Sequence, residues 1–319
     1  MNIPMPRFGN IQTMFNAVNP EKAVKFLITR PDHIALPDGA GSGPYHQQGI
    51  QKTIRGEFVV SGSASHTGYI YFTDSDCNIV NLICPSYDNF NHAGGLQVID
   101  DILVTGYERL ENGASGTSKI LFYDIRDVRN PRPLTHLTIA RDASYSTAGA
   151  VALCPYQNVW LLLVANWDAN RLDFYLSNMN DLRNPAARFP ASPNGCWSKS
   201  ANGLGPGSID QNWEAYQNIN MFTQPGFFWF PPTYWFIGMH TNWTPSKKDW
   251  ADLYQLTYNG NNSIITKRGK MHFKRNGSGP RFGYGAGYYY NKITNRFEVF
   301  SIEARLSDGG VKNRCNVWE

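Results

Sequence analysis

Three carboxylates, Glu108, Asp168 and Glu303, each stand shortly after an apolar segment rich in β-branched, leucine and aromatic residues. Carboxylates that face each other across a few ångströms cannot all ionise freely, so one stays protonated as an acid while another stays anionic. Cleavage of a glycosidic bond uses such a pair, about 5 to 9 Å apart depending on the stereochemical course. These three residues are therefore the candidate catalytic groups.

Histidines and aromatic residues occupy neighbouring positions of the same segments. The stretch that begins at His46 (HQQGIQ) is nearly repeated at His92 (HAGGLQ). Aromatic rings offer flat faces against which a sugar ring or another apolar ligand can stack. The candidate ligand-binding residues are His46, His92, Tyr107, Trp167, Tyr216, His240, Trp243 and Arg281.

A divalent metal is an alternative cofactor. His46, His92 and His240, together with one carboxylate, have the ligand chemistry of a transition-metal site. No HExxH or helical HxxxH spacing supports this alternative, which depends wholly on the fold bringing the three imidazoles together. The sequence contains no GxSxG nucleophile motif, no phosphate loop and no dinucleotide fingerprint, so no other cofactor is indicated.

The elements that would position these residues form a five-fold repeat. Each unit has a small-residue turn, an apolar strand and a second strand that ends in polar groups. Such units, too small to bury their own apolar faces, indicate a solenoid or a propeller. The second strands are predicted at 58–62, 102–106, 162–166, 235–239 and 297–301.

Each repeat divides into four predicted strands. The fifth repeat lacks a fourth strand after 312–318, and the segment 23–28 is a spare strand that could complete it. Closure of this kind removes the exposed sheet edges that invite aggregation. We therefore predict an all-β fold, a single domain over 1–319 that is a five-bladed β-propeller with four strands per blade. Its blades begin near 46, 92, 146, 215 and 282.

Two other architectures are alternatives to the propeller. A solenoid would need a continuous short period and capping repeats, and neither is visible in the sequence. A two-domain sandwich remains the second alternative. Long helices are not expected, although 19–24 has the composition of a helical turn.

In a propeller, first strands line the central channel and begin at the face where second strands end. The candidate residues would then gather at one mouth of the channel, with Ser146, Ala215 and Phe282 at the equivalent places of the remaining blades. The Gly-, Ser- and Pro-rich segment 193–212 is expected to overhang this mouth as a lid.

Structural roles are an alternative for several of these residues. In this alternative His46 and His92 bond a neighbouring backbone, and Trp167 plugs the channel. Glu108 and Glu303 have arginines close by in the sequence, at Arg109 and Arg305. Asp168 falls in the turn-prone string NWDAN.

Composition narrows the class of protein. Hydrophobic residues make up 42% and charged residues 17%, which indicates a packed core and argues against disorder. The net charge of +4 is spread without a Lys/Arg block, so no nucleic-acid partner is expected. The five cysteines lack CxxC spacing and are expected to be reduced and mostly buried, with a Cys77–Cys84 disulfide left open.

No membrane-spanning run and no signal-type segment at the N-terminus is visible. We expect a cytoplasmic protein, one exported by a non-classical route, or one whose leader was removed.

The repeat layout resembles the five-bladed propellers, a superfamily that includes arabinanase- and fructosidase-type glycosidases and tachylectin-type sugar-binding proteins. The resemblance covers most of the chain at the level of architecture only. In those glycosidases three acidic residues from different blades converge on the mouth, which implies that Glu108, Asp168 and Glu303 are their counterparts. The families usually place an Asp on a first strand, where this chain has His46 and His92. The blades are also too divergent for one sugar site per blade.

The leading interpretation is a carbohydrate-directed enzyme, with Glu108 or Asp168 as the acid and another carboxylate as the base or nucleophile. The histidines would position a glycan or other small ligand. A non-catalytic module that binds a glycan or a protein is the alternative, and a metal-dependent enzyme is the third.

Overall fold

Almost all regular structure in the protein is β-strand. The computed structural model describes residues 10–40, 45–85, 90–109, 117–142, 147–226, 231–243, 247–291, 293–306 and 311–319. The predicted blade start at Ser146 lies outside these residues. Within them, a 3-10 turn at Thr135–Leu137 and the helix α1 (Ile11–Ala17) accompany the strands. The helix therefore precedes the segment 19–24, where the composition indicates a helical turn.

The strands of the described residues are, in chain order, β1 (Val24–Thr29), β2 (Gln47–Lys52), β3 (Phe58–Ser63), β4 (Gly68–Thr73), β5 (Ile79–Ile83), β6 (His92–Ile99), β7 (Ile102–Glu108), β8 (Ser118–Asp124), β9 (Arg132–Pro133), β10 (Ile139–Arg141), β11 (Ala150–Tyr156), β12 (Val159–Ala165), β13 (Arg171–Leu176), β14 (Gly195–Ser198), β15 (Asn218–Gln224), β16 (Thr233–Asn242), β17 (Lys248–Thr257), β18 (Ile264–Phe273), β19 (Arg281–Asn291), β20 (Arg296–Ile302) and β21 (Lys312–Trp318).

These strands pair antiparallel in groups that follow the sequence repeat. The strands β11 to β14 form one sheet and β15 to β18 another, and a third has the order β1-β21-β20-β19. The remaining strands form a larger sheet with two parts, β2 to β5 and β6 to β10. A single residue pair, Ser63 with His92, joins the two parts.

The N-terminal strand pairs with the C-terminal strand. The register runs antiparallel from Val24 opposite Val317 to Thr29 opposite Lys312. Strand β1 therefore forms the fourth strand beside β21, β20 and β19, at the place where the fifth repeat lacks a strand of its own.

The first strands of the five groups contact one another in cyclic order. Strand β2 contacts β6 and β19, β11 contacts β6 and β15, and β15 contacts β19. Glycines permit this approach. A Cβ atom on Gly287 would lie 1.9 Å from the Ile50 carbonyl oxygen, and one on Gly94 would lie 2.5 Å from that of Gly149. No side chain fits at either position.

Amide side chains bond the first strands to one another. Gln51 donates to Asn220 Oδ1 (3.0 Å), and the same oxygen accepts the Tyr288 backbone N–H (2.8 Å). Gln97 accepts the backbone N–H groups of Leu153 (3.1 Å) and Met221 (2.9 Å). These bonds satisfy buried backbone donors that no strand ladder reaches.

The apolar core lies between neighbouring sheets. One cluster includes Leu163 and Phe174 from the β11–β14 sheet and Phe236 from the β15–β18 sheet. The helix α1 packs Ile11 and Phe15 into a second cluster. Its first turn is capped by the Asn10 side chain, which accepts the Thr13 N–H at 3.0 Å.

The five thiols are free, which excludes the Cys77–Cys84 disulfide alternative. Burial raises the pKa of the Cys154 thiol to about 12, so this side chain behaves as a small apolar group. Among the described residues, no helix is both long and apolar enough to cross a membrane.

The segment 193–212 follows a different course from the expected lid. Residues 195–198 form β14, and the backbone N–H groups of Gly205 and Ile209 then bond the carbonyls of Ile265 and Lys267 on β18. Because β18 is the outer strand of its sheet, this part of the segment extends that sheet edge instead of overhanging the first strands.

Replacing Asn220 with Ala should destabilise the protein by about 2–4 kcal/mol, because it leaves the Tyr288 N–H and the Gln51 amide buried without an acceptor. Urea unfolding followed by tryptophan fluorescence measures the change. The exposed Asn262 gives the matched control, Asn262→Ala, for which the change should stay within about 0.5 kcal/mol. Equal stabilities of the two variants would contradict a structural role for the amides.

Candidate functional site

The start of each first strand lies beside the end of the second strand in its group. His92 opens β6 directly opposite Glu108 at the end of β7, and Asn218 opens β15 opposite Met239 near the end of β16. We call these strand ends, with the residues that immediately flank them, the mouth. The sequence predicts most of the candidate residues there, and the side-chain contacts below connect several of them.

Glu108 and His92 form a buried acid–imidazole pair. His92 Nδ1 lies 3.3 Å from Glu108 Oε2, and both side chains are almost completely buried. Among the described residues, neither carboxylate oxygen of Glu108 has a hydrogen-bond partner. A buried acid left in this state has unused acceptors, which costs free energy unless a ligand or water supplies a donor.

Trp167 covers this pair from the solvent side. Its indole packs against the His92 ring with a centroid distance of 5.0 Å, and 46% of the residue remains exposed. The Trp167 backbone N–H donates to Thr147 Oγ1 at 2.7 Å, which fixes the residue to the start of the third group. Trp167 therefore presents part of its side chain to solvent beside His92.

Asp168 is the next residue and lies in the turn 166–170. The Ala169 N–H bonds the Asn166 carbonyl, and Ala169 has a φ of 51°. Asp168 is exposed and forms no ion pair with a described residue. The turn that the string NWDAN indicates is present, and it holds the Asp168 carboxylate in solvent next to Trp167.

Glu303 differs from the other two acids because it is firmly held. Its Oε1 accepts the Arg314 backbone N–H (3.0 Å) and its Oε2 accepts Arg314 Nε (2.7 Å). The carboxylate thus ties the end of β20 to β21, which favours a structural contribution.

His46 forms a hydrogen bond with the backbone, which is the structural role that the sequence predicts as an alternative for this residue. Its Nδ1 donates to the Gln47 carbonyl at 2.5 Å. Burial lowers the pKa of His46, and the nearby His92 and Arg305 lower it further. The ring lies edge-on to Tyr284, which in turn lies 5.5 Å from Trp243. His46 therefore belongs to an aromatic row along the mouth.

A cavity of about 230 Å³ opens beside this row. Gln217, one of its lining residues, donates to Gln48 of β2. Trp243 is 53% exposed and offers the second accessible indole face of the mouth. The cavity is lined by Glu214, Ala215, Gln217, His240, Thr241, Asn242, Trp243 and Gly283.

His240 forms part of the cavity wall and is kept neutral. Burial, together with Lys270 and Lys267, lowers the pKa of His240 to about 3. Its Nε2 lies 4.0 Å from Asp252 Oδ2. Asp252 accepts a hydrogen bond from Tyr216 (2.7 Å) and pairs with the fully buried Lys267 (3.1 Å). His240 thus sits above a buried ionic cluster.

Asp249 is a second acid that sequence reasoning missed. Its Oδ1 accepts Thr241 Oγ1 (2.5 Å) and the Phe282 N–H (3.2 Å), which joins β17 to the start of β19. Burial raises the pKa of this carboxyl to about 6. The alternation of Asp252 with the apolar residues Ala251 and Leu253 on β17 is not enough to mark it as buried, and Lys267 stands in the basic stretch 267–270, so no local signal identifies these groups.

Two predicted contact residues are buried. Tyr107 has no exposed surface and Tyr216 only 1%, so neither offers a ring face to a ligand in this conformation. Arg281 is half-buried, with its guanidinium 5.8 Å from the Trp243 ring centroid.

No group of three His, Cys, Asp or Glu residues is placed to hold a metal ion in the part of the chain that the structure describes. His46, His92 and His240 accordingly do not meet a carboxylate as a ligand set there.

No model of a protein family matches the chain, and no curated protein matches it. Among solved structures, it is similar to a fructofuranosidase from Schwanniomyces occidentalis, at 9% identity and a TM-score of 0.46. That match covers 85% of this chain and 55% of the enzyme. An endo-arabinase from Bacteroides thetaiotaomicron matches at 10% identity and a TM-score of 0.41, over 89% of this chain and 96% of the enzyme.

The catalytic domain of a GH62 α-L-arabinofuranosidase from Coprinopsis cinerea matches at 11% identity and a TM-score of 0.39, over 92% of this chain and 96% of that one. The neighbours are of the glycosidase types that the repeat layout resembles. With TM-scores below 0.5, they carry no argument about this chain.

Replacing His240 with Gln should remove part of the acid sensitivity of folding. The unfolded chain binds a proton at His240 below about pH 6.5, but the folded protein does so only near pH 3, so stability falls as the pH drops between these values. Between pH 7.5 and 4.5 the wild type should lose about 2–3 kcal/mol more than His240→Gln in urea unfolding.

The exposed His33 supplies the matched control. His33→Gln should lose as much stability as the wild type over the same pH interval. Parallel losses in wild type and His240→Gln would contradict a neutral, buried His240.

Proposed function

We propose that the chain is a single five-bladed β-propeller domain over 1–319, with four strands per blade and β1 closing the ring. The cyclic contacts of the first strands support five blades. The pairing of β1 with β21 supports closure by the N-terminal strand. On this interpretation the larger sheet is two blades that touch through Ser63 and His92.

We further propose that the mouth binds a carbohydrate and that the protein is a glycoside hydrolase. The observation that carries this proposal is the buried Glu108 carboxylate, which has unused acceptors, contacts His92 and lies near the half-exposed Trp167. A glycosidase needs a carboxylic acid that protonates the glycosidic oxygen, and an aromatic ring beside that acid can hold the sugar in place.

The roles follow from the surroundings of each acid. Glu108 donates a proton to the leaving glycosidic oxygen as the C–O bond breaks. Asp168, next to Trp167, activates a water molecule or attacks the sugar carbon. Glu303 is the third acid and orients the end of β20 through Arg314. His46, His92, His240, Tyr107, Tyr216 and Arg281 position the ligand or the groups that touch it.

A non-catalytic binding module is the second candidate. The observation in its favour is that Trp167 and Trp243 are both about half exposed, whereas Asp168 sits in an exposed turn. Such a surface can hold a glycan or a protein without cleaving it.

Glu108→Gln should lower hydrolysis about a hundredfold to ten-thousandfold, because the amide cannot donate the proton, while binding of the same glycan is retained. Asp168→Asn should give a comparable loss and Glu303→Gln a smaller one. Release of reducing ends from arabinan, xylan, inulin, levan and pectin measures the activity, and isothermal titration calorimetry measures binding.

The exposed Glu21 supplies the matched control, Glu21→Gln, which should hydrolyse as the wild type does. If all three variants of the mouth also hydrolyse at the wild-type rate, the enzymatic assignment is wrong.

Trp167→Ala should weaken glycan binding about tenfold or more, because it removes the exposed platform beside the acid. This experiment separates the two candidate functions. If the wild type cleaves no substrate and Trp167→Ala loses glycan binding, the non-catalytic module is supported. Unchanged binding would place the glycan elsewhere.

A further inference from the structure

Arg281 has an unusual position for a cation. It opens β19, and its guanidinium lies 5.8 Å from the centroid of Trp243, which lines the cavity. The Nη1 atom is buried and has no hydrogen-bond partner among the described residues. A desolvated guanidinium nitrogen without an acceptor is costly, since these donors normally meet carboxylates or carbonyls.

The acids near Arg281 are committed to other groups. Asp249 accepts Thr241 and the Phe282 N–H, and its other oxygen lies 3.4 Å from Arg275 Nε. Asp252 pairs with Lys267. No described carboxylate lies within ion-pair distance of Arg281, so its charge is balanced only at longer range.

Two lysines lie near the cavity. Lys270 and Lys267 both contribute to the lowered pKa of His240 in the cavity wall, and Lys267 pairs with Asp252 and Asp210. Glu214 is the one carboxylate among the lining residues. Its carboxylate oxygens can accept hydrogen bonds from sugar hydroxyls, but they form no ion pair with Arg281.

We propose that Arg281 binds the anionic group of an acidic sugar whose ring stacks on Trp243. The group is a carboxylate of a uronic acid or a sulfate ester, because both present two oxygens to the planar fork of an arginine. This proposal rests on the proposed function, namely that the mouth takes a glycan, and it narrows the substrate to anionic glycans. A single sugar ring suits the 230 Å³ cavity, which is smaller than the sites of drug-sized ligands.

Matched acidic and neutral glycans test the proposal by isothermal titration calorimetry. The carboxylate arm compares oligogalacturonate with its methyl ester and oligoglucuronate with oligoglucose. The sulfate arm compares chondroitin sulfate with desulfated chondroitin. In at least one arm the wild type should bind the charged glycan about ten- to a hundredfold more tightly than the partner that lacks its charged group, and the arm that responds identifies the group.

Arg281→Gln should abolish that difference by weakening only the charged ligand. Arg281→Lys should restore part of it, because the charge returns without the fork. The exposed Arg129 gives the matched control, Arg129→Gln, which removes the same charge at a distant turn and should keep the full preference.

Near-wild-type thermal unfolding of Arg281→Gln shows that a loss of preference comes from the site. The proposal is overturned if no charged glycan binds more tightly than its partner, or if Arg281→Gln and Arg129→Gln keep the same preference. Both results concern binding, so they are independent of whether Glu108→Gln abolishes hydrolysis.

Discussion

The hydrogen bonds of buried amide side chains on the first strands are the constraint on which the rest of the structure depends. Where neighbouring first strands splay apart, their backbone groups cannot pair as a ladder and still have to be satisfied. Gln97 connects β6 to β11 and β15, and Asn220 connects β15 to β2 and β19. An amide offers both donors and an acceptor without a charge, so it bridges strands without the desolvation cost of an ion pair.

This constraint also explains the placement of the mouth residues. Because the first strands are bonded to one another, the second strands that pair with them end at defined points. His92 and Glu108 face each other through the β6–β7 register, and Asp249 bonds β17 to the residues that open β19. Functional groups held by strands in this way keep their separation better than groups on free loops.

The sequence predicts the strands better than the site. The apolar run at 102–106 lies within β7, the run at 162–166 overlaps β12 except for its last residue, and the spare segment 23–28 overlaps β1. Those predictions succeed because alternation and turn residues are local signals. The lid at 193–212 fails, since the bonds of Gly205 and Ile209 to β18 depend on a partner strand more than fifty residues away.

The sequence also fails to predict the contacts within the site, because these contacts join residues that are distant in sequence. Asp252 lies on β17, but its ionic partner Lys267 is on the next strand, β18, and only the folded register brings the two together. The sequence repeat also does not predict whether an acid at the end of a strand forms an ion pair. Glu303 and Glu108 occupy equivalent positions of their repeats, yet Arg314 pairs with one, while His92 is the ion-pair partner of the other among the described residues.

The ion pairs of the charged groups therefore differ across the mouth. Glu303, Asp249 and Asp252 each face an arginine or a lysine, although Asp249 Oδ2 and Asp252 Oδ1 have no hydrogen-bond partner among the described residues. Within the same part of the chain, Glu108 faces only a histidine and has spare acceptors, and the Nη1 atom of Arg281 has a spare donor. Each is desolvated beside an accessible indole, Trp167 in the first case and Trp243 in the second. A ligand with hydroxyl donors, an anionic group and flat apolar ring faces would satisfy both groups, and an acidic glycan combines these three features.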